Sequence, residues 1–215
     1  CLSCRSCETT CPSGVRYHRL LEIGREVVEQ KVPRSLAARA TRFLLCEALP
    51  RNWIFRPAVR VGQAMRPLLP RALADKVPPA AARAARPWPR AAGHRRRMIA
   101  LAGCVQPTLT PATNAATARV LDRLGIELAE VPAAACCGAL RYHLQAQEKA
   151  LDDMRQVIDA WWPEVESGRV EAFVMTASGC GEHVRVYGEL LQHDPAYAAK
   201  AARIAQMTRD VSEIL

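Results

Sequence analysis

Three short apolar runs organise the second half of the chain: MIALAGC (98–104), IELAEVP (126–132) and VEAFVMTAS (170–178). Each fits a buried strand, and each leads directly into a cysteine turn, at Cys104, Cys136-Cys137 and Cys180. Between them the apolar positions change to helical spacing. One helix is predicted over Asn114 to Leu124, stopped by Gly125, and a longer one over Leu144 to Val165, ended by Ser167-Gly168. A further helix follows the GCGEH turn through Leu191, and a last one runs from Asp194-Pro195 toward Leu215. Strands that alternate with helices of this length imply parallel pairing in an α/β layer. In open α/β sheets the carboxyl ends of the strands form the ligand crevice, and right-handed crossovers bring those ends to one edge. Four thiols are therefore expected in one pocket.

The first half has a different texture. Residues 1–14, CLSCRSCETTCPSG, form a tight cysteine loop. Leu20, Leu21, Ile23, Val27 and Val28 recur near helical spacing within Val15 to Lys31, and Pro33 ends that helix. Ser35 is placed to cap a second helix that reaches Leu49 and stops at Pro50. From Arg51 to Leu73 helical pattern and prolines alternate, which argues against a continuous amphipathic helix. The chain thus divides into a cysteine loop (1–14), a helical segment (15–76), a Pro/Arg-rich linker (77–97) and an α/β cysteine-rich region (98–215).

Composition narrows the chemistry. Half of the 215 residues are hydrophobic, enough for a packed core, and no apolar run is long enough to span a bilayer. The net charge of +9 owes most to arginine, with a cluster between Arg83 and Arg97. No nucleic-acid-binding motif accompanies it, so nucleic acid is not the expected partner, and Arg95 to Arg97 read as a solvated linker. No G-x-G-x-x-G loop is present, so neither FAD nor NAD is expected on this chain. Nine cysteines without an export signal point to metal or redox chemistry and away from a disulfide framework. A cytoplasmic location is expected, peripheral to a membrane at most. The chain opens on Cys1 with no initiator Met and reads as a stretch of a longer protein.

Cys1, Cys4, Cys7 and Cys11, followed by Pro12, have the spacing C-x2-C-x2-C-x3-C-P. This is the ferredoxin-type run, in which closely spaced thiolates wrap a [4Fe-4S] cubane and the fourth serves a different cluster in two-cluster proteins. Zinc is the competing metal, although its sites usually use two separated C-x2-C pairs. The second constellation is Cys104, then 31 residues, Cys136-Cys137-Gly138, then 41 residues, and Cys180 between two glycines. Spacing leaves three readings open for it: small hydrophobes at strand ends, metal ligands, or a nucleophilic Cys180 assisted by His183. Cys46 reads as a core helix residue, and Trp161, Trp162 and Phe173 as packing.

GCVQPTLTPATNAATARVLDRLG, CCGAL with YHLQAQEK, IDAWWP and TASGCG, together with the 1–14 loop, resemble the iron–sulfur subunits of glycolate oxidase. These belong to a wider set of cysteine-rich CCG-domain proteins that includes heterodisulfide reductase B subunits. The resemblance implies that 1–14 is the second half of a ferredoxin-type 4Fe-4S domain and that 98–215 is the first of two CCG repeats, with the chain truncated at both ends. Cys1, Cys4 and Cys7 then need a fourth ligand from an upstream segment. The resemblance also makes Cys104, Cys136, Cys137 and Cys180 metal ligands. It implies an electron-transfer subunit that passes electrons from flavin-containing partner subunits toward a quinone or other membrane acceptor, with no substrate-oxidising site of its own. Two other classes stay open: a thiol/disulfide-active protein of heterodisulfide-reductase type, and a zinc-stabilised interaction module. The fuller CCG pattern ends in C-x-x-C, whereas His183 stands at the last position here; imidazole can replace thiolate on iron, which leaves a ligand role open, but a helix-surface histidine is the plainer expectation.

Overall fold

A computed structural model describes residues 5–79, 87–89 and 93–215. Cys1 and Cys4, and residues 80–86 and 90–92 of the 77–97 linker, lie outside the described residues. The first half is helical: α1 (Ser6–Thr9), α2 (Tyr17–Lys31), α3 (Leu36–Ala48), α4 (Asn52–Met65) and α5 (Arg71–Ala74). Ser35 caps α3, its Oγ accepting from the Ala38 amide at 3.3 Å. Residues 52–65 correct the expectation of a broken segment: α4 runs unbroken through Pro57. The proline removes only the bond to the carbonyl four residues back, on a helix whose outer face is solvated.

The second half is β1 (Arg96–Ala100), α6 (Gln106–Leu109), α7 (Ala112–Arg123), β2 (Ile126–Glu130), α8 (Ala139–His143), α9 (Gln147–Glu166), β3 (Ala172–Met175), α10 (Ser178–Arg185), α11 (Tyr187–Leu190), α12 (Ala198–Met207) and β4 (Thr208–Asp210). The sheet is parallel throughout, in the order β2-β1-β3-β4. β4 was not anticipated. Thr208 to Asp210 end the helix expected to continue toward Leu215 and pair with Phe173 to Met175. The long helix expected over 144–165 is α9, which starts three residues later, at Gln147; Gln145, with a φ of 61°, separates it from the short α8 before it.

Both faces of the sheet are covered, which is why the strands read as nearly continuous apolar runs. Met98, Ala100, Ile126, Leu128 and Val174 pack on one side with Ala118 and Leu121 of α7. Trp88 closes that layer and donates its indole N–H to the Leu128 carbonyl at 2.8 Å. Ile99, Phe173 and Met175 face the other side, against Met154, Val157, Ile158 and Trp161 of α9 and Ile204 of α12. Trp161 and Phe173 are fully buried and stack at 4.1 Å, as their packing role requires, while Trp162 lies nearer the surface and bonds Glu166. Cys46 is buried on α3, and burial pushes its thiol pKa up.

The chain steps from β1 outward to β2, then crosses back over β1 to β3. The reversal leaves a crevice above the carboxyl ends of β1 and β3, where an α/β sheet binds ligands.

Candidate metal centre

The crevice is a cavity of about 590 Å³ whose wall includes Cys104, Cys136, Cys137 and Cys180. All four thiols anticipated at the strand ends are brought together there. Cys104 follows β1 through a turn at Gly103, whose φ is 78°. Cys136 and Cys137 follow β2, and Cys180 stands in the first turn of α10 after β3. Cys104, Cys136 and Cys137 are buried, the last only 3% exposed, and Cys180 is half-buried.

Gly138 makes the double-cysteine turn possible. Its φ is 83°, and a Cβ there would stand 2.8 Å from the Ala150 carbonyl oxygen. Only glycine meets both constraints. Its amide in turn points at Cys136 Sγ, 3.5 Å away, and Tyr187 donates its hydroxyl to the Cys137 carbonyl at 2.7 Å. Two sides of the turn are therefore fixed before any ligand is considered.

The sulfurs stand as two hydrogen-bonded pairs, Cys104 with Cys136 and Cys137 with Cys180. The bond from its partner lowers the pKa of Cys104, and likewise of Cys180. Cys136 and Cys137, the donors, are raised by the same bonds and by burial. Among the described residues, no three His, Cys, Asp or Glu side chains are placed to hold a metal ion. The donor chemistry nevertheless suits soft, thiophilic iron: four thiols, sheltered from water, facing one largely apolar cavity. A polynuclear cluster, whose metals are spread over several ångströms, suits paired sulfurs better than a tetrahedral single ion does.

Asn114 holds the three strand ends together, a role the sequence pattern did not assign. It is buried in α7, where its Nδ2 donates to the Leu101 carbonyl after β1 (3.0 Å) and to Glu130 at the end of β2 (2.6 Å). Its Oδ1 accepts from Thr176 after β3 and from Gln106, both at 2.6 Å. One amide spans three strands. The available signal was an Asn on the otherwise apolar stripe Ala115, Ala118, Leu121.

His183 corrects the expectation of a surface histidine. It lines the cavity at 4% exposure, one helical turn beyond Cys180, with the rings of Tyr142, His143 and Tyr187 packed around it. α10 buries the face carrying Gly181, His183 and Val184, so the imidazole turns inward. Burial, then the neighbouring His143, depresses its pKa to about 3.

The amino-terminal segment closes over the same cavity, with Arg5, His18 and Glu22 in its wall. Tyr142 donates to Glu22 at 3.0 Å, Arg141 to the Cys46 carbonyl at 3.0 Å, and Arg42 to the Leu144 carbonyl at 2.8 Å. Cys7, exposed on α1, and the half-buried Cys11 thus belong to a segment seated at the cavity mouth.

Comparison with known proteins agrees with this architecture. Residues 99–185 match the model of the CCG cysteine-rich domain. The whole chain aligns with the glycolate oxidase iron-sulfur subunit of Escherichia coli K12 at 53% identity, covering 52% of that protein. It aligns with the probable glycolate oxidase iron-sulfur subunit of Bacillus subtilis 168 at 32% identity, covering 53% of it. Lactate utilization protein A of Bacillus pumilus is 26% identical over 52% of this chain and 44% of its own length. No solved structure shows a significant match. The chain spans about half the length of the glycolate oxidase relatives it matches. Residues 99–185 thus resemble a CCG cysteine-rich domain, and the chain as a whole is similar to the iron-sulfur subunits of glycolate oxidase.

Proposed function

We propose that this chain is the electron-transfer part of a glycolate-type 2-hydroxy-acid oxidase, and that its two cysteine groups hold iron–sulfur clusters. The observation that carries the reading is the convergence of Cys104, Cys136, Cys137 and Cys180 on one sheltered cavity. Similarity to named iron-sulfur subunits over the full chain supports it. A cluster bound by these thiolates would supply reversible one-electron transfer. The residues of the chain do the rest. Thiolates hold the iron, the Gly138 amide points at Cys136 Sγ and stabilises charge there, and the apolar wall excludes water.

Cys1, Cys4, Cys7 and Cys11 are proposed as ligands of ferredoxin-type [4Fe-4S] chemistry in the segment 1–14, with the helical segment 15–76 and the linker 77–97 joining it to the CCG domain 98–215. The seating of residues 5–22 over the cavity supports a short path between the two groups. Flavin-containing partner subunits would deliver the electrons, and a quinone or other membrane acceptor would take them. No helix among the described residues is long and apolar enough to cross a membrane. The membrane contact is therefore proposed as peripheral and cytoplasmic, through α4 and its continuation. There Trp53 (76% exposed) and Leu68 (82% exposed) accompany the exposed Arg56, Arg60 and Arg71.

One observation favours a second reading. The thiol pairs Cys104/Cys136 and Cys137/Cys180 are already within hydrogen-bonding reach, as a thiol/disulfide-active protein would need. Anaerobic purification of the full-length protein separates the two. Iron and acid-labile sulfide that fall in Cys104→Ser and Cys137→Ser support the cluster. Thiols that alkylate freely in the unsubstituted protein, with iron unchanged in both variants, support the disulfide reading.

A further inference from the structure

We infer that His183 is a fifth ligand of the centre in this cavity, its Nε2 binding iron beside the four cysteine sulfurs. The inference rests on the reading of those cysteines as cluster ligands and extends it to a residue of a different chemical class.

Three observations carry it. His183 lines the same cavity wall as all four cysteines. It lies one turn along α10 from Cys180, so the two side chains share a face of that helix. Its Nε2 is buried and has no hydrogen-bond partner among the described residues, although buried polar atoms are almost always satisfied. The groups packed nearest do not remove the deficit. Tyr142 donates its hydroxyl to Glu22, Tyr187 donates its own to the Cys137 carbonyl, and the Nδ1 of His143 is 3.3 Å from Arg25. An imidazole that lines a thiol-bearing cavity, is held in place by three rings and keeps one buried nitrogen unpartnered has a lone pair available to an electron-pair acceptor. Iron is such an acceptor, and imidazole ligation of iron–sulfur centres is chemically established. Bond formation uses the nitrogen lone pair alone, with no proton or electron transferred.

The imidazole has a further consequence. Compared with a cysteine at position 183, a neutral imidazole leaves the centre one negative charge poorer, which raises its reduction potential.

The test uses the full-length protein, purified anaerobically with its native iron and labelled with [15N]histidine. Pulsed electron paramagnetic resonance of the reduced protein should show nitrogen coupling with the isotope signature of a directly bound imidazole. That coupling should persist in His143→Gln and vanish in His183→Cys and His183→Gln. His183→Cys should retain its iron and shift the midpoint potential downward. Absence of the coupling from the unsubstituted protein overturns the inference, as does its persistence in either His183 variant. Failure of the underlying reading would look different: iron and sulfide contents unchanged in Cys104→Ser and Cys137→Ser.

Discussion

Asn114 makes four hydrogen bonds that join the ends of β1, β2 and β3, the one to the Leu101 carbonyl fully buried. Asn114→Ala leaves the buried Leu101 carbonyl unpaired, at about 1–3 kcal/mol, and removes three part-buried bonds of about 1 kcal/mol or less each. The expected loss is about 2–4 kcal/mol in total, read as a lower urea midpoint with an unchanged slope. Asn114→Asp should do nearly as badly, because a carboxylate cannot donate to the Leu101 carbonyl or to Glu130. Gly138→Ala acts at the same scale by a different cause. The positive φ and the 2.8 Å approach to the Ala150 carbonyl must both be relieved, at a cost of about 1–3 kcal/mol. Because the strain falls on the Cys136-Cys137 turn, iron content should drop more than global stability does. A Gly138→Ala protein with full iron and an unchanged midpoint would show that the turn tolerates a side chain.

The elements were partly legible in the sequence. β1, β2 and β3 announced themselves because strands covered on both faces must be apolar throughout, and their cysteine turns gave away the common edge. β4 did not, because Thr208-Arg209-Asp210 has no apolar signature and becomes a strand only by pairing with β3. The break between α8 and α9 falls at Gln145, with neither Gly nor Pro to mark it, and Pro57 and Pro163 sit inside helices that carry on past them. His183 and Asn114 were hidden for a related reason: a single polar residue on a helix shows its environment only when the tertiary packing is known. The unbroken α4 bears on membrane association. Pro57 does not interrupt α4, and α4 with the shorter turns that follow it to Leu73 offers an apolar edge flanked by arginine. The full-length protein should sediment with anionic vesicles at low salt, release at high salt, and bind several-fold more weakly as Arg56→Glu/Arg60→Glu. Equal binding to neutral and anionic vesicles, or none at all, would remove the membrane from this proposal.

At the scale of the whole molecule, the segment that carries Cys7 and Cys11 lies beside the cavity of the strand-end cysteines, with Arg5, His18 and Glu22 in its wall. The 1–14 loop carries its thiols close together in sequence, whereas the CCG centre gathers its thiols from three strand ends across 77 residues of chain, from Cys104 to Cys180. The first should therefore survive damage to the second. In the full-length protein Cys7→Ser is expected to lose the iron of one cluster and to abolish quinone or dye reduction, while leaving the CCG centre's signal in place. Unchanged iron and unchanged acceptor reduction in that variant would defeat the ligand role of the loop. The central claim is the cavity itself, and the most direct measurement is iron and acid-labile sulfide per chain in anaerobically purified full-length protein, compared with the variant in which Cys104, Cys136, Cys137 and Cys180 are all serine. The account predicts that the variant stays folded, keeps the iron of its ferredoxin-type motifs, and loses the iron, the sulfide and the paramagnetic signal of one further centre. Equal iron and sulfide in the two proteins would contradict it.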